Sequence, residues 1–159
     1  MTDTTTKNAR MMIEQIIERI AMPNGFAKLA PVQRKFLLAA ILSSIVPADG
    51  KVREVEIDHL RQHLQTKYHL NADQLRETLA FAGHGMPGSQ MQQAAKHLPD
   101  MLSIEDRTSL IGMMWDIALS DKELHSSEEA MIYKFADAAG VARRKVAEQQ
   151  VRIAANRGG

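Results

Sequence analysis

The amino-acid sequence predicts an all-α fold: a single domain of seven to eight helices with an internal pseudo-twofold duplication. Three observations lead there. Apolar residues recur at helical spacing throughout, and no window alternates as a strand would. Aromatic residues are only 4% of the chain against 45% hydrophobic, so the core must be built of Leu, Ile, Met and Ala, which favour helices over sheets. An acidic motif also occurs twice. Ala48-Asp49-Gly50-Lys51-Val52 is followed by Glu56, and Ser120-Asp121-Lys122-Glu123-Leu124 by Glu128, at a constant offset of 72 residues. Repetition constrains architecture before any other feature. Here it implies two similar helical halves, each placing two carboxylates at one bend.

The elements follow in order. Residues 1–8 are polar and read as a disordered tail. Met12, Ile13, Ile16, Ile17 and Ile20 mark a first amphipathic helix, broken by Pro23-Asn24-Gly25. Pro31 suits the first turn of a second helix, which carries Leu37, Leu38, Ile41, Leu42 and Ile45 and stops at Pro47. Ile57, Leu60, Leu64 and Tyr68 mark a third. Asn71 is an N-cap for a fourth, with Leu75, Leu79 and Ala82, ending near Gly83 and Gly85. The stretch from Gly85 to Gly88 is the linker between halves. A fifth helix runs from about Ser89 to Leu98. Ser103 with Asp106 opens a sixth, with Leu110, Ile111, Met114, Ile117 and Ala118 inward. Ser126 with Glu129 reads as a capping box for the seventh, with Met131, Ile132, Phe135 and Ala136 inward and Gly140 closing it. An eighth covers roughly Ala142 to Ala155.

A formal charge of +1 provides no global field to attract nucleic acid or an anionic membrane. The cysteine count of 0 excludes disulfides, thiolate metal sites and cysteine nucleophiles. The longest apolar run, Phe36 to Val46, falls short of the roughly 20 residues a membrane span needs. With no apolar leader pattern near Met1, the expected location is cytoplasmic, without membrane insertion.

The repeated motif admits two accounts. In one, Asp49 and Asp121 cap the bends, and Glu56 and Glu128 offset helix dipoles. In the other, the halves pack about a pseudo-twofold axis, and four converging carboxylates repel one another unless a cation sits among them. The spacing is not that of an EF-hand, and no His-Glu-x-x-His, phosphate loop or Gly-x-Ser-x-Gly elbow occurs.

The run from Leu37 through Pro47-Ala48-Asp49-Gly50-Lys51-Val52 to Glu56 resembles the first signature of the TerB (tellurite resistance B) family. Leu110 through Trp115-Asp116-Ile117-Ala118-Leu119-Ser120-Asp121, followed by Glu123, Leu124, Glu128 and Glu129, resembles the second. The likeness runs from about residue 33 to 150 and is greatest to the cytosolic single-domain branch; a related domain begins a membrane-linked J-domain co-chaperone. The resemblance implies a helical TerB-like domain, placed here at residues 9–156, in which Asp49, Glu56, Asp121 and Glu128 chelate a divalent metal (Ca, Mg, Mn or Zn) without an organic cofactor. It also implies protein partners, some membrane-associated, in a tellurite or stress response. It supplies no reaction and no catalytic residue. Lys122 departs from the family's usual Gly and is expected to neutralise Asp121.

His59 and His63 are spaced i, i+4, with Glu56 three residues before His59, so all three share a helix face and are candidate metal ligands. A di-iron set would need a second Glu-x-x-His, and Glu128 is followed at that position by Met131. The 10 methionines read as core filling, Trp115 as a core anchor, and the basic face of Arg143, Arg144, Lys145, Arg152 and Arg157 as solvated rather than nucleic-acid-binding. The leading expectation is a non-enzymatic cation- and protein-binding module. The alternatives are a metal-free, co-chaperone-like interaction module and, third, a metal-dependent hydrolase.

Overall fold

A computed structural model describes residues 2–157 apart from 24, 26, 27 and 82–84, with side chains described between Met11 and Asn156 except at those positions and at Phe81. Asn24, Ala82, Gly83 and the Arg157 side chain, used in the reading above, lie outside the described residues, as does Met1. Among the described residues eight α-helices follow one another: α1 (Thr2–Ile20), α2 (Pro31–Ser43), α3 (Glu54–Thr66), α4 (Ala72–Phe81), α5 (Gly88–His97), α6 (Ile104–Ala118), α7 (Ser126–Ala138) and α8 (Arg143–Arg157). A 3₁₀ turn, Leu98–Asp100, links α5 to α6, and there is no strand among the described residues. α1 begins at Thr2, so it extends through the segment read from sequence as a tail.

Local chemistry accounts for most boundaries. Pro31 occupies the first turn of α2, and the Gln33 side chain accepts the Ala30 amide at 2.9 Å. Asn71 and Gln74 cap α4 reciprocally, each side chain accepting the other's amide, at 2.8 and 3.1 Å. Ser103 accepts from the Asp106 amide at the start of α6. Beyond α7, Gly140 adopts φ 74°, and the Val141 amide returns to the Ala136 carbonyl at 2.9 Å, a Schellman closure that a Cβ would strain.

Two boundaries differ from expectation. α2 ends at Ser43 rather than at Pro47, and the chain descends to Gly50 in successive turns such as Ala48 N–H to Ile45 O. The hydroxyls of Ser43 and Ser44 donate back to Ala39 and Ala40, which loosens the helix at that point. Ser126 is not the cap of α7 but its first residue; the N-cap is His125, whose ring is held by Asp121 rather than by the helix.

α2 and α6 are the central helices of the two halves, and they touch. Leu37, Ile41, Leu42, Leu110, Ile111, Met114 and Trp115 lose essentially all contact with water. α1 packs on α4, α2 and α5, while α6 is flanked by α8, α3 and α7. Trp115 anchors α8: its indole N–H donates to the Val146 carbonyl at 3.0 Å, and its ring meets Tyr133 edge-on at 6.0 Å. Met86, Met91, Met113 and Met114 fill the core, as their plasticity suggests.

The duplication is visible in the backbone. α3 and α7 each have 13 residues, and both their first and last positions lie 72 apart. Each half runs as central helix, left-handed residue, second helix. Gly50 (φ 84°) and Lys122 (φ 67°) hold the same left-handed position.

Candidate functional site

At each bend the aspartate organises its own turn. Asp49 Oδ1 accepts the Lys51 amide at 3.1 Å, and Asp121 Oδ1 accepts the Glu123 amide at 3.1 Å. The second oxygen of each points between the halves. There it meets two residues that motif matching passed over, the N-cap residues Arg53 and His125. Arg53 Nη1 lies 2.7 Å from Asp49 Oδ2, and Arg53 Nε lies 3.2 Å from Asp121 Oδ2. His125 Nε2 lies 2.7 Å from Asp121 Oδ2, and its Nδ1 lies 3.5 Å from Asp49 Oδ2. Each cap thus reaches its own aspartate and the one in the other half, the reciprocity that a local twofold imposes.

Glu56 and Glu128 follow in the first turns of α3 and α7 and are fully buried. Glu56 Oε2 takes Arg53 Nη1 at 3.3 Å. No other side chain and no amide donates to Glu56 Oε1 or to either oxygen of Glu128; the two carboxyls face one another across the axis, and a bond between them requires that one keep its proton. Burial, then the Glu56 carboxyl and the nearby aspartates, push the Glu128 carboxyl well above the usual carboxylate range. Burial also raises Glu56, against opposition from its bonds to Glu128 and Arg53. Burial acts upward on Asp49 and Asp121 too. For Asp49 it is outweighed by Arg53, the Lys51 amide and His125, for Asp121 by His125, the Glu123 amide and Arg53, so both end below their ordinary value. The four carboxylates therefore divide into two ionised, paired aspartates and two buried glutamates that resist ionisation.

The structure brings Asp49, Glu56, Asp121 and Glu128 to one place, as expected. Their mutual repulsion is met in part by the guanidinium of Arg53, not by Lys122, which is exposed and is not among the partners of Asp121. The ligand atoms of Asp49, His125 and Glu128 lie within 4.8 Å of one another, as do those of Asp121, Glu123 and His125. The first set fits a divalent ion, since Glu128 contributes buried oxygens that no other residue's donor reaches, and a cation satisfies such oxygens.

His59 and His63 turn elsewhere. Both contact one oxygen of Asp116 on α6, His59 Nδ1 at 3.0 Å and His63 Nε2 at 2.6 Å, and so tie α3 to α6. Glu56, expected beside them, is engaged with Arg53 and Glu128. On α8, Arg143 pairs with Asp137 at 2.7 Å and lies over the Tyr133 ring, and Arg144 is 3.8 Å from Glu148, which leaves a solvated face of mixed charge.

The family model for Tellurite resistance protein TerB matches residues 35–151, a span containing both bends and every carboxylate of the site. The chain belongs to the TerB family. No curated protein and no solved structure matches it. Among the described residues no TerB helix here is long and apolar enough to cross a membrane.

Proposed function

We propose that this TerB-family protein is a non-enzymatic module that binds a divalent cation between its two halves and works with protein partners in a tellurite or stress response. One observation carries the cation reading: Glu128 is wholly buried, its two oxygens meet no donor, and Asp49 and His125 converge on it. A carboxyl in that position holds a proton or faces a cation. Partners and the stress response are supported by family membership alone. Cytoplasmic location rests on the sequence reading.

A metal-free interaction module is the second reading, favoured by Arg53, whose fixed charge already lies among Asp49, Glu56 and Asp121. Elemental analysis of protein purified without an affinity tag, with melting curves in Ca2+, Mg2+, Mn2+, Zn2+ and chelator, separates the two. An ion that binds only the folded state adds about 2.7 kcal/mol at a hundredfold excess over Kd. A melting temperature flat across all four ions would overturn cation binding and leave the interaction module. A phosphoesterase screen with Mn2+ is expected to show no turnover.

A further inference from the structure

Arg53 and His125 occupy the same position of the repeat, 72 residues apart, each as the N-cap of its helix. Both address the same two oxygens, Asp49 Oδ2 and Asp121 Oδ2. The two groups differ in one chemical respect. Guanidinium stays protonated and has no lone pair to offer, so it serves only as a counter-ion. A neutral imidazole has a lone pair and is a common nitrogen ligand of metals.

The glutamates differ accordingly. Arg53 continues onto the glutamate of its own helix, at 3.3 Å from Glu56 Oε2. His125 makes no corresponding contact: both Glu128 oxygens are buried without a donor. The first half thus carries an internal cation, and the second has the same carboxylates with a ligand in the cation's place. The ligand atoms of Asp49, His125 and Glu128 lie within 4.8 Å of one another, and no Arg53-side counterpart is found among the described residues. On the opposite edge of the imidazole, Asp121 and Glu123 form a second set with His125, but the Glu123 side chain is 75% exposed to solvent.

We infer that the duplicated site has become one filled and one open position: Arg53 is the resident counter-ion of the first, and His125, with Asp49 and Glu128, binds a single transition-type divalent ion in the second. The inference rests on the cation reading above and specifies ion class and stoichiometry. A mixed nitrogen and carboxylate set suits Zn2+ or Mn2+, whereas Ca2+ and Mg2+ prefer oxygen alone. Arg53 excludes a second ion by occupying its place.

Calorimetric titration with Zn2+ and Ca2+ tests this on the full chain, with circular dichroism confirming the helical fold of each variant. Wild-type protein is expected to bind one equivalent of Zn2+ that depends on position 125, at least about tenfold tighter than Ca2+. His125→Arg should abolish that equivalent while raising the melting temperature in chelator, because arginine then supplies Glu128 with the partner that Glu56 has. His125→Gln should weaken Zn2+ about a hundredfold without supplying the charge, which covers the case of an arginine variant that fails to fold. Arg53→His should add a second equivalent. His59 and His63 are common to all four proteins, so the comparison isolates the ion held at position 125. Zn2+ binding that survives both substitutions at 125, or a preference for Ca2+, would overturn this inference and leave the cation reading standing. Wild-type protein that binds neither ion would overturn both.

Discussion

Glu128→Gln perturbs the site at the point where its geometry is most costly. In the chelated wild-type protein two fully buried carboxyls face each other, and three of their four oxygens have no donor. A buried polar group left unsatisfied costs about 1–3 kcal/mol. An amide at position 128 donates to Glu56 and cannot ionise, so most of that cost is recovered at pH 8. For a chain of this size 1 kcal/mol moves the melting temperature by about 2–4 °C, so the expected gain is about 3–9 °C. The pH dependence gives a sharper signature. A carboxyl raised in the folded state keeps its proton where the unfolded chain, with an ordinary value of 4.5, has lost it. Folding is then linked to proton uptake, and its stability falls as pH rises from about 4.5 through the raised folded values. The lowered aspartates act with the opposite sign, but below their ordinary value of 3.8, and so outside the range from pH 5 to 9. Metal-free wild-type protein should therefore lose stability steadily between pH 5 and 9, and the variant should show a much flatter profile. Saturating ion should close the gap at pH 8, because the variant has lost a ligand. Differential scanning calorimetry in EDTA measures all three. If wild type and variant melt together at pH 8, or the variant melts lower, the buried pair is not a liability and the reasoning is wrong.

Three further outcomes are expected. Lys122 holds a left-handed φ of 67° that costs an L-residue about 1–2 kcal/mol, so Lys122→Gly should stabilise by about 0.5–1 kcal/mol after the added freedom of the unfolded chain, whereas Gly50→Ala should destabilise by about 1 kcal/mol; urea titration reads both. Asp116→Ala, and His59→Ala with His63→Ala, should each lower stability by about 1 kcal/mol through loss of the α3–α6 tie while leaving ion affinity at the acid cluster unchanged; a fall in that affinity would bring the histidines into the ion site. Trp115→Phe removes the bond to the Val146 carbonyl and should cost about 1–3 kcal/mol, with faster hydrogen exchange concentrated in α8.

The helices were legible because their signals are local: the spacing of Ile13, Ile16 and Ile20, the caps Asn71 and Ser103, and the closure at Gly140. The carboxylates were legible because the repeat preserved their residue type. Arg53 and His125 were missed for the complementary reason. They sit at the same offset, but one position carries a guanidinium and the other an imidazole, so a search for identical letters passes over them. Matching positions rather than residues would have found them. Asp116 had no such signal: it meets His59 and His63 from across the fold, and its counterpart in the repeat, Ser44, instead accepts the Met86 amide at 2.9 Å. The repulsion expected among all four carboxylates is also narrower in the structure. Asp49 and Asp121 are the partners of Arg53 and His125, Glu56 has Arg53 at one of its oxygens, and the group of the four with no such partner at either oxygen is Glu128.

The cross-contacts at the two bends bear on how the chain comes apart. Arg53 belongs to the first half by sequence but pairs with Asp121 of the second, and His125 stands in the same relation to Asp49. Neither half can leave without stranding a charged group of the other, while the glutamates behind them would be opened to water together. A state with one half folded and the other released is thereby made expensive from both sides. The two halves should melt in a single cooperative step, and an ion held between them would raise the barrier to their parting as well as the stability of the whole.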